Sequence, residues 1–121
     1  TLMAYSLESS IAEKFHAMIE RDSQNSRMKD FFDVYMILTH YEVDLEVLAE
    51  AIRNTFRRRE TRYTPYAALF ADGFATEAGR VQQWRAFLKR IRWPEEIDFA
   101  EVVTCICEHI GPCWDERNID G

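Results

Sequence analysis

The sequence predicts an all-α fold, a compact bundle of four to five amphipathic helices, and three observations lead to that prediction. Apolar residues recur at helical spacing in several long segments. Residues that favour helix starts stand before those segments, and short polar stretches separate them. Amphipathic helices joined by short loops can bury their apolar faces only against one another. Little strand is expected, apart from residues 2–5, which read as the end of one short strand.

The first two predicted helices form a hairpin. One runs from Leu7 to Arg21 after Ser6, whose hydroxyl oxygen can accept a hydrogen bond from an amide of the first turn. The other runs from Ser26 to His40, with Asn25 or Ser26 as its N-cap. Because only a few polar residues separate the two helices, we expect them to pack as an antiparallel pair.

The third predicted helix begins after Asp44, a good N-cap residue, and ends near Arg59 in a run of arginines. Residues 61–75 are the least periodic part of the chain. They read as a loop with at most a short helix after Pro65.

Two more helices complete the predicted bundle. One extends from Thr76 to Ile91, and the last begins at Asp98. The last helix should end or kink at Gly111-Pro112, because proline lacks the amide hydrogen that a helix needs. The side chains expected to be largely buried are Phe15, Met18, Phe31, Phe32, Tyr35, Ile52 and Trp84.

The composition is that of a soluble globular protein of one domain. The chain has 121 residues, of which 47% are hydrophobic and 30% charged. No segment approaches the roughly 20 apolar residues of a membrane helix, so no membrane association is expected. The net charge of −6 argues against a broadly basic surface for nucleic acid. Basic residues do cluster on the third and fourth helices, where they read as solvated faces near a helix C-terminus.

The cysteines predict a reducing compartment. Cys105, Cys107 and Cys113 are close together and odd in number, which suits reduced thiols in the cytoplasm better than a disulfide framework. Cys105, His109 and Cys113 could face the same way, but three ligands are one short of a structural zinc site. We therefore expect buried thiols rather than a metal centre.

Lysine and aspartate residues on the first two helices are candidates for function, although each also has a structural interpretation. Lys14 lies at the edge of an apolar face, where a lysine commonly extends its ammonium group to solvent. Arg21 points in the same direction two turns later. Asp30 and Asp33 project in neighbouring directions from the second helix. Asp30 could stabilise the helix dipole, and Asp33 could pair with Lys29.

Two segments resemble a known family. Residues 12–18 read Ala-Glu-Lys-Phe-His-Ala-Met, and residues 27–35 read Arg-Met-Lys-Asp-Phe-Phe-Asp-Val-Tyr. In this order and at this separation, they resemble the AbiEii/AbiGii family of nucleotidyltransferase toxins. Weaker features extend the resemblance along nearly the whole chain, as far as Gly111-Pro112. His16 lies within the first segment, where we expect a role in helix packing or at the surface.

The resemblance covers only part of that family's architecture. Its members carry an N-terminal lobe with a Gly-Ser pair and, further on, an Asp-x-Asp pair that holds the catalytic magnesium ion. This sequence contains neither pattern, and it opens at Thr1 without an initiator methionine. We therefore interpret residues 1–121 as the C-terminal helical domain of a longer protein, with the N-terminal catalytic lobe absent.

The resemblance implies a role for each candidate residue. Lys14 would contact the nucleotide triphosphate, with Arg21 and Lys29 as further phosphate-binding residues. Asp30 or Asp33 would act as the base for the acceptor hydroxyl or as an auxiliary magnesium ligand. Asp30 matches the family pattern more directly, but both stay candidates. Magnesium is expected only in the full-length protein, through the missing lobe.

The expected function is that of a bacterial nucleotidyltransferase toxin from a toxin–antitoxin or abortive-infection system. The full-length protein would transfer a nucleoside monophosphate from an NTP to an acceptor, expected to be RNA. A cognate antitoxin would be a further partner, and the present chain alone would be inactive. The alternative is a non-catalytic helical module that binds a partner protein or a nucleic acid.

Overall fold

A computed structural model describes residues 6–24 and 27–121, and within these ranges the chain forms helices and loops without a strand. This confirms the predicted all-α fold. The strand expected at residues 2–5 lies outside the described residues. The helices are α1 (Leu7–Arg21), α2 (Met28–His40), α3 (Leu45–Arg58), α4 (Ala78–Arg90), α5 (Phe99–Ile110) and α6 (Glu116–Asp120). Short 3₁₀ turns occur at Asp22–Gln24, Ala68–Phe70 and Gly111–Cys113.

Side-chain caps fix the start of three helices as predicted. The Ser6 hydroxyl accepts a hydrogen bond from the Ser9 amide at 3.0 Å at the start of α1. Asp44 caps α3 by accepting from the amides of Glu46 and Val47, and Asp98 caps α5. Each cap satisfies an amide that has no partner within its own helix.

Two helices begin later than predicted. Helix α4 begins at Ala78 rather than Thr76, because the Glu77 carboxylate accepts from the Gly79 amide at 2.7 Å and caps the helix there. Helix α2 begins at Met28, with Arg27 in the N-cap position and no side-chain cap. The predicted caps, Asn25 and Ser26, lie outside the described residues.

Helix α6 was not predicted. The chain leaves α5 at Ile110 and makes a 3₁₀ turn that contains Pro112. Asp115 then accepts a hydrogen bond from the Asn118 amide at 2.7 Å and starts a helix of 5 residues. A helix this short has too few residues to show apolar periodicity in the sequence.

Helix α1 packs against both α2 and α3, with α3 as the more extensive partner. The predicted pairing of α1 with α2 is therefore present, but it is the smaller of the two interfaces. On the α3 side, the Phe15 ring lies 5.6 Å from Phe56 and 5.5 Å from Trp114. Trp114, whose exposure the sequence does not predict, is buried.

A second aromatic group joins α2, α4 and α5. Phe99 lies 5.4 Å from both Phe31 and Trp84, measured between ring centroids. The indole nitrogen of Trp84 donates a hydrogen bond to the carbonyl oxygen of Ile97 at 2.7 Å, so the ring is buried without losing its polar partner. These contacts fix α2, the helix that carries the candidate aspartates.

The predicted core is buried at five positions and partly buried at two. Phe15, Met18, Phe31, Ile52 and Trp84 are all buried. Phe32 and Tyr35 pack against the core from its edge and keep some exposure. Within the described residues, none of the helices combines the length and the apolar composition that crossing a membrane requires.

Replacing Phe15 by alanine should lower the free energy of unfolding by about 3–5 kcal/mol, because the lost ring leaves a cavity between α1 and α3. Chemical denaturation monitored by circular dichroism measures this change. Tyr66→Ala is the control, since this side chain is 86% exposed and should change stability by less than about 0.5 kcal/mol. Equal effects of the two substitutions would contradict the described packing.

Candidate functional site

Lys14 meets both candidate aspartates across the α1–α2 interface. Its ammonium nitrogen lies 3.1 Å from Asp33 Oδ2 and 4.0 Å from Asp30 Oδ1. Helix α1 supplies the lysine and α2 supplies the carboxylates, three residues apart on neighbouring directions of the helix. The structure thus brings together three of the residues that the sequence singles out. We call Lys14, Asp30 and Asp33 the lysine–aspartate cluster.

Exposure to solvent increases across the cluster from Asp30 to Asp33 and Lys14. The side chains of Lys14 and Asp33 are 27% and 23% exposed, whereas that of Asp30 is 7% exposed. Asp30 Oδ2 is buried and has no hydrogen-bond partner among the described residues. Burying a carboxylate oxygen without a hydrogen bond is costly, so nearby positive charge has to offset the cost.

Arg27 provides part of that positive charge, a role that was not predicted from the sequence. Its Nε lies 3.6 Å from Asp30 Oδ2, and the residue stands at the N-cap of α2. The available signal was its place three residues before Asp30, the spacing at which side chains meet on a helix. Asp30 is therefore held by Lys14 and Arg27 through charge rather than through hydrogen bonds.

Asp33 is shared between two lysines. Lys29 Nζ lies 2.6 Å from the same Oδ2 that faces Lys14, which confirms the pair predicted from the i, i+4 spacing. The Lys29 side chain is 69% exposed, so this pair adds little to stability. Its consequence is electrostatic, because Asp33 keeps a cationic partner if the Lys14 ammonium moves away.

Arg21, the remaining candidate for phosphate binding, is not brought into the cluster. It is exposed in the last turn of α1 and makes no ion pair with a described residue. Two helical turns separate it from Lys14, which is about 10 Å along the helix axis.

Neighbours of Lys14 anchor α1 to the end of α3. Glu13 forms ion pairs with Arg58 and with Arg59, the latter at 2.7 Å. His16 Nε2 lies 2.7 Å from Thr61 Oγ1, and the His16 ring packs 4.9 Å from Phe56. His16 is buried, so of the two roles expected for it the helix-packing one is correct.

Burial favours the neutral form of the His16 side chain. Burial lowers the pKa of this side chain below its ordinary value of 6.5, while the nearby Glu20 carboxylate opposes the shift. The neutral ring can exchange a hydrogen bond with Thr61, and a buried imidazolium would be costly.

The remaining titratable groups lie away from the cluster. Tyr35 donates a hydrogen bond to Glu101 at 2.5 Å, and this bond raises the pKa of Tyr35 to about 12. Burial raises the pKa of the Cys107 thiol to about 11, and it also raises the pKa of Cys105 and Cys113. At neutral pH these thiols are protonated and therefore poor nucleophiles.

The cluster has the chemistry of phosphate and proton handling. A lysine ammonium can bind phosphate oxygens, and a carboxylate can accept a proton or contribute an oxygen ligand to a divalent cation. Among the described residues, no three or more His, Cys, Asp or Glu side chains are arranged to hold a metal ion. The lysine–aspartate cluster itself contributes two carboxylates, those of Asp30 and Asp33.

Comparison with known families gives a match over most of the chain. A family model described as the nucleotidyl transferase AbiEii toxin of type IV toxin–antitoxin systems matches residues 1–105. The matched range covers most of the chain and includes the whole lysine–aspartate cluster. No match was found among curated proteins or among solved structures.

The pKa of His16 predicts a loss of stability in mildly acidic solution. Above its ordinary pKa of 6.5 the side chain is neutral in both the folded and the unfolded chain. As the pH falls below that value, the unfolded chain takes up the proton first, so its population is favoured. The free energy of unfolding should therefore decrease between about pH 7 and pH 5.5, through this linkage.

Denaturation curves across this pH range measure the effect. In His16→Gln the contribution of this residue to the pH dependence should disappear. His40→Gln is the control, since His40 is exposed and its replacement should leave the dependence in place. A His16→Gln variant with the wild-type pH profile would contradict the assignment.

Proposed function

This chain belongs to the AbiEii family of nucleotidyl transferase toxins from type IV toxin–antitoxin systems, and from that premise we propose that it forms the C-terminal helical domain of a longer enzyme. The enzyme transfers a nucleoside monophosphate from an NTP to an RNA acceptor. The observation that carries this proposal is the contact of Lys14 with Asp33 and Asp30. Transfer of a phosphoryl group depends mainly on positioned charges, and this cluster supplies charges of both signs.

Lys14 binds the triphosphate in this proposal. Its stem is packed at the α1–α2 interface while its ammonium group is partly exposed, so the charge can follow phosphate oxygens as the reaction proceeds. Moving the Lys14 ammonium group away from Asp33 costs little free energy, because Lys29 already contacts the same carboxylate oxygen. Lys29 thereby keeps Asp33 neutralised and also extends the positive surface toward the phosphates.

The two aspartates divide the remaining roles. Asp33 is the more exposed and can accept a proton from the acceptor hydroxyl. Asp30 has a buried oxygen without a hydrogen bond, which fits an auxiliary ligand for magnesium. Magnesium would supply charge neutralisation at the transferring phosphate, with its other ligands from the N-terminal lobe. Only Asp30 and Asp33 among the cluster residues offer oxygen ligands of the kind that this ion prefers.

The partners follow from the same proposal. The type IV toxin–antitoxin assignment suggests a cognate antitoxin as a partner. An NTP and RNA are the proposed substrates, and we propose the bacterial cytoplasm as the place of the reaction. The N-terminal lobe would cover the lysine–aspartate cluster and exclude water from it, since a closed site strengthens every charge interaction within it.

In the full-length protein, Lys14→Ala should slow nucleotide transfer by about 10²- to 10³-fold, the usual loss when one preorganised charge is removed. Asp30→Asn should also slow transfer, because the amide oxygen is a weaker ligand and base. Transfer of a radioactive nucleotide to RNA measures both. Lys89→Ala on α4 is the control and should transfer at the wild-type rate.

Stability has to be measured beside activity, because Lys14 also offsets the buried charge of Asp30. Lys14→Met keeps most of the apolar stem and loses only the charge, so it isolates the electrostatic role. A Lys14→Met variant that is folded and fully active would eliminate the proposed role of this lysine.

The 121-residue chain alone should neither bind NTP with magnesium tightly nor label RNA, because it lacks the Asp-x-Asp pair of the family. Calorimetric titration and the labelling assay test the two parts. Nucleotide transfer by this chain without the N-terminal lobe would contradict the proposal that the lobe completes the active site.

A further inference from the structure

Helices α3 and α6 enclose a groove of about 560 Å³ that lies apart from the lysine–aspartate cluster. Three arginines line it, Arg53 and Arg57 from α3 and Arg117 from α6. We call the surface defined by these three residues the arginine groove. A second cavity of about 290 Å³ shares Arg57 and is lined by Arg62 as well as by two acidic side chains, Glu60 and Asp120.

Two arginines of this groove have hydrogen-bond partners that are not acidic side chains. Arg53 donates to the amide oxygen of Asn118 at 3.2 Å, and Arg57 donates to the main-chain oxygen of Gly121 at 2.7 Å. In the described part of the chain, none of the three arginines pairs with a carboxylate side chain. The next two arginines of the run, in contrast, both pair with Glu13.

Two of the nearby carboxylates also accept main-chain hydrogen bonds. Asp115 lines the groove but caps α6 through the Asn118 amide. Asp120 lines the second cavity and accepts from the Tyr63 amide at 3.1 Å. Among the described residues that line the groove, three arginines therefore stand against one acidic side chain, Asp115, although the whole chain has a net charge of −6.

The groove is also preorganised. The Asn118 amide group donates to the carbonyl oxygens of Ala49 and Cys113, so its own oxygen is fixed toward Arg53. Arg53 and Arg57 are four residues apart and thus neighbours on one face of α3. Each guanidinium has five N–H donors in a planar fork that matches a phosphate group, and most of these donors are unused.

We propose that the arginine groove binds the phosphodiester backbone of the RNA acceptor. This inference rests on the proposed function, because it assumes that the acceptor is RNA. A groove with successive arginines suits a backbone with successive phosphates better than it suits a single anion. The end of α3 links the groove to the cluster, since Arg58 and Arg59 contact Glu13, the neighbour of Lys14.

Binding of a fluorescent single-stranded RNA to the full-length protein, measured at several salt concentrations, tests the proposal. The variant Arg53→Gln/Arg57→Gln/Arg117→Gln should bind roughly tenfold more weakly or worse, because it loses phosphate contacts. The slope of log affinity against log salt should fall by about 2, since each phosphate contact on a single strand contributes about 0.7.

A variant matched in charge distinguishes the groove from general electrostatics. Arg85→Gln/Lys89→Gln/Arg90→Gln removes the same number of cations from α4 and should leave RNA affinity and the salt slope nearly unchanged. Equal losses in the two triple variants would overturn the proposal. So would a groove variant that loses affinity for NTP but keeps its affinity for RNA.

Arg53 is half-buried, so a milder variant guards against misfolding. Arg57→Gln/Arg117→Gln retains the Arg53–Asn118 contact and should weaken RNA binding with an unchanged melting temperature. Wild-type RNA affinity in this folded variant would contradict the proposal that the arginine groove binds RNA.

The acceptor KM in the transfer assay separates the two proposals. A higher KM for RNA in the groove variants, with the KM for NTP unchanged, supports the groove. If the groove variants are active and have a wild-type KM for RNA, the proposed binding of RNA by the arginine groove is refuted. The proposed function stands in that case. If the full-length protein binds RNA through the groove but transfers no nucleotide, the proposed function is refuted. The proposal that the groove binds RNA stands in that case.

Discussion

Helix α1 must bury one side against the aromatic residues around Trp114, and this constraint fixes the direction of every other side chain on the helix. Phe15 is fully buried between Phe56 and Trp114. Successive side chains are rotated by about 100° around an α-helix, so the burial of Phe15 determines where Lys14 points. The lysine consequently lies on the flank that faces α2, where Asp33 meets it.

Ion pairs and the packing of buried rings contribute unequally to the position of α1. The ion pairs of Glu13 with the end of α3 are on exposed arginines, and such pairs stabilise a fold by little. Close packing of the buried rings therefore does most of the positioning. The exception is Asp30, whose charge is nearly buried and depends on Lys14 and Arg27. A buried carboxylate held in this way lowers stability locally and supplies an electrostatic environment that an apolar residue could not.

The sequence predicted the local features of the fold and missed those that depend on distant contacts. Helix starts such as Ser6 could be predicted because a cap is recognised from adjacent residues alone. The candidate residues Lys14 and Asp30 could be identified from sequence patterns, but their contact depends on how α1 packs against α2. The arginine groove was missed for the same reason. The role of Arg27 was missed although its place three residues before Asp30 is a local signal. The groove exists because the short helix α6 brings Asn118 next to Arg53, and nothing in the spacing of these residues indicates that contact.

Competitive labelling of amino groups tests most directly whether Lys14 belongs to a nucleotide site. The full-length protein would be acylated with and without saturating NTP and magnesium, and each lysine would be followed by mass spectrometry. Lys89 on α4 serves as the internal reference. If Lys14 binds the triphosphate, its labelling should slow severalfold on nucleotide addition while the labelling of Lys89 stays constant, because a phosphate-bound ammonium group is covered by the nucleotide. Unchanged labelling of Lys14 at saturating nucleotide would contradict the assignment of this residue to the site.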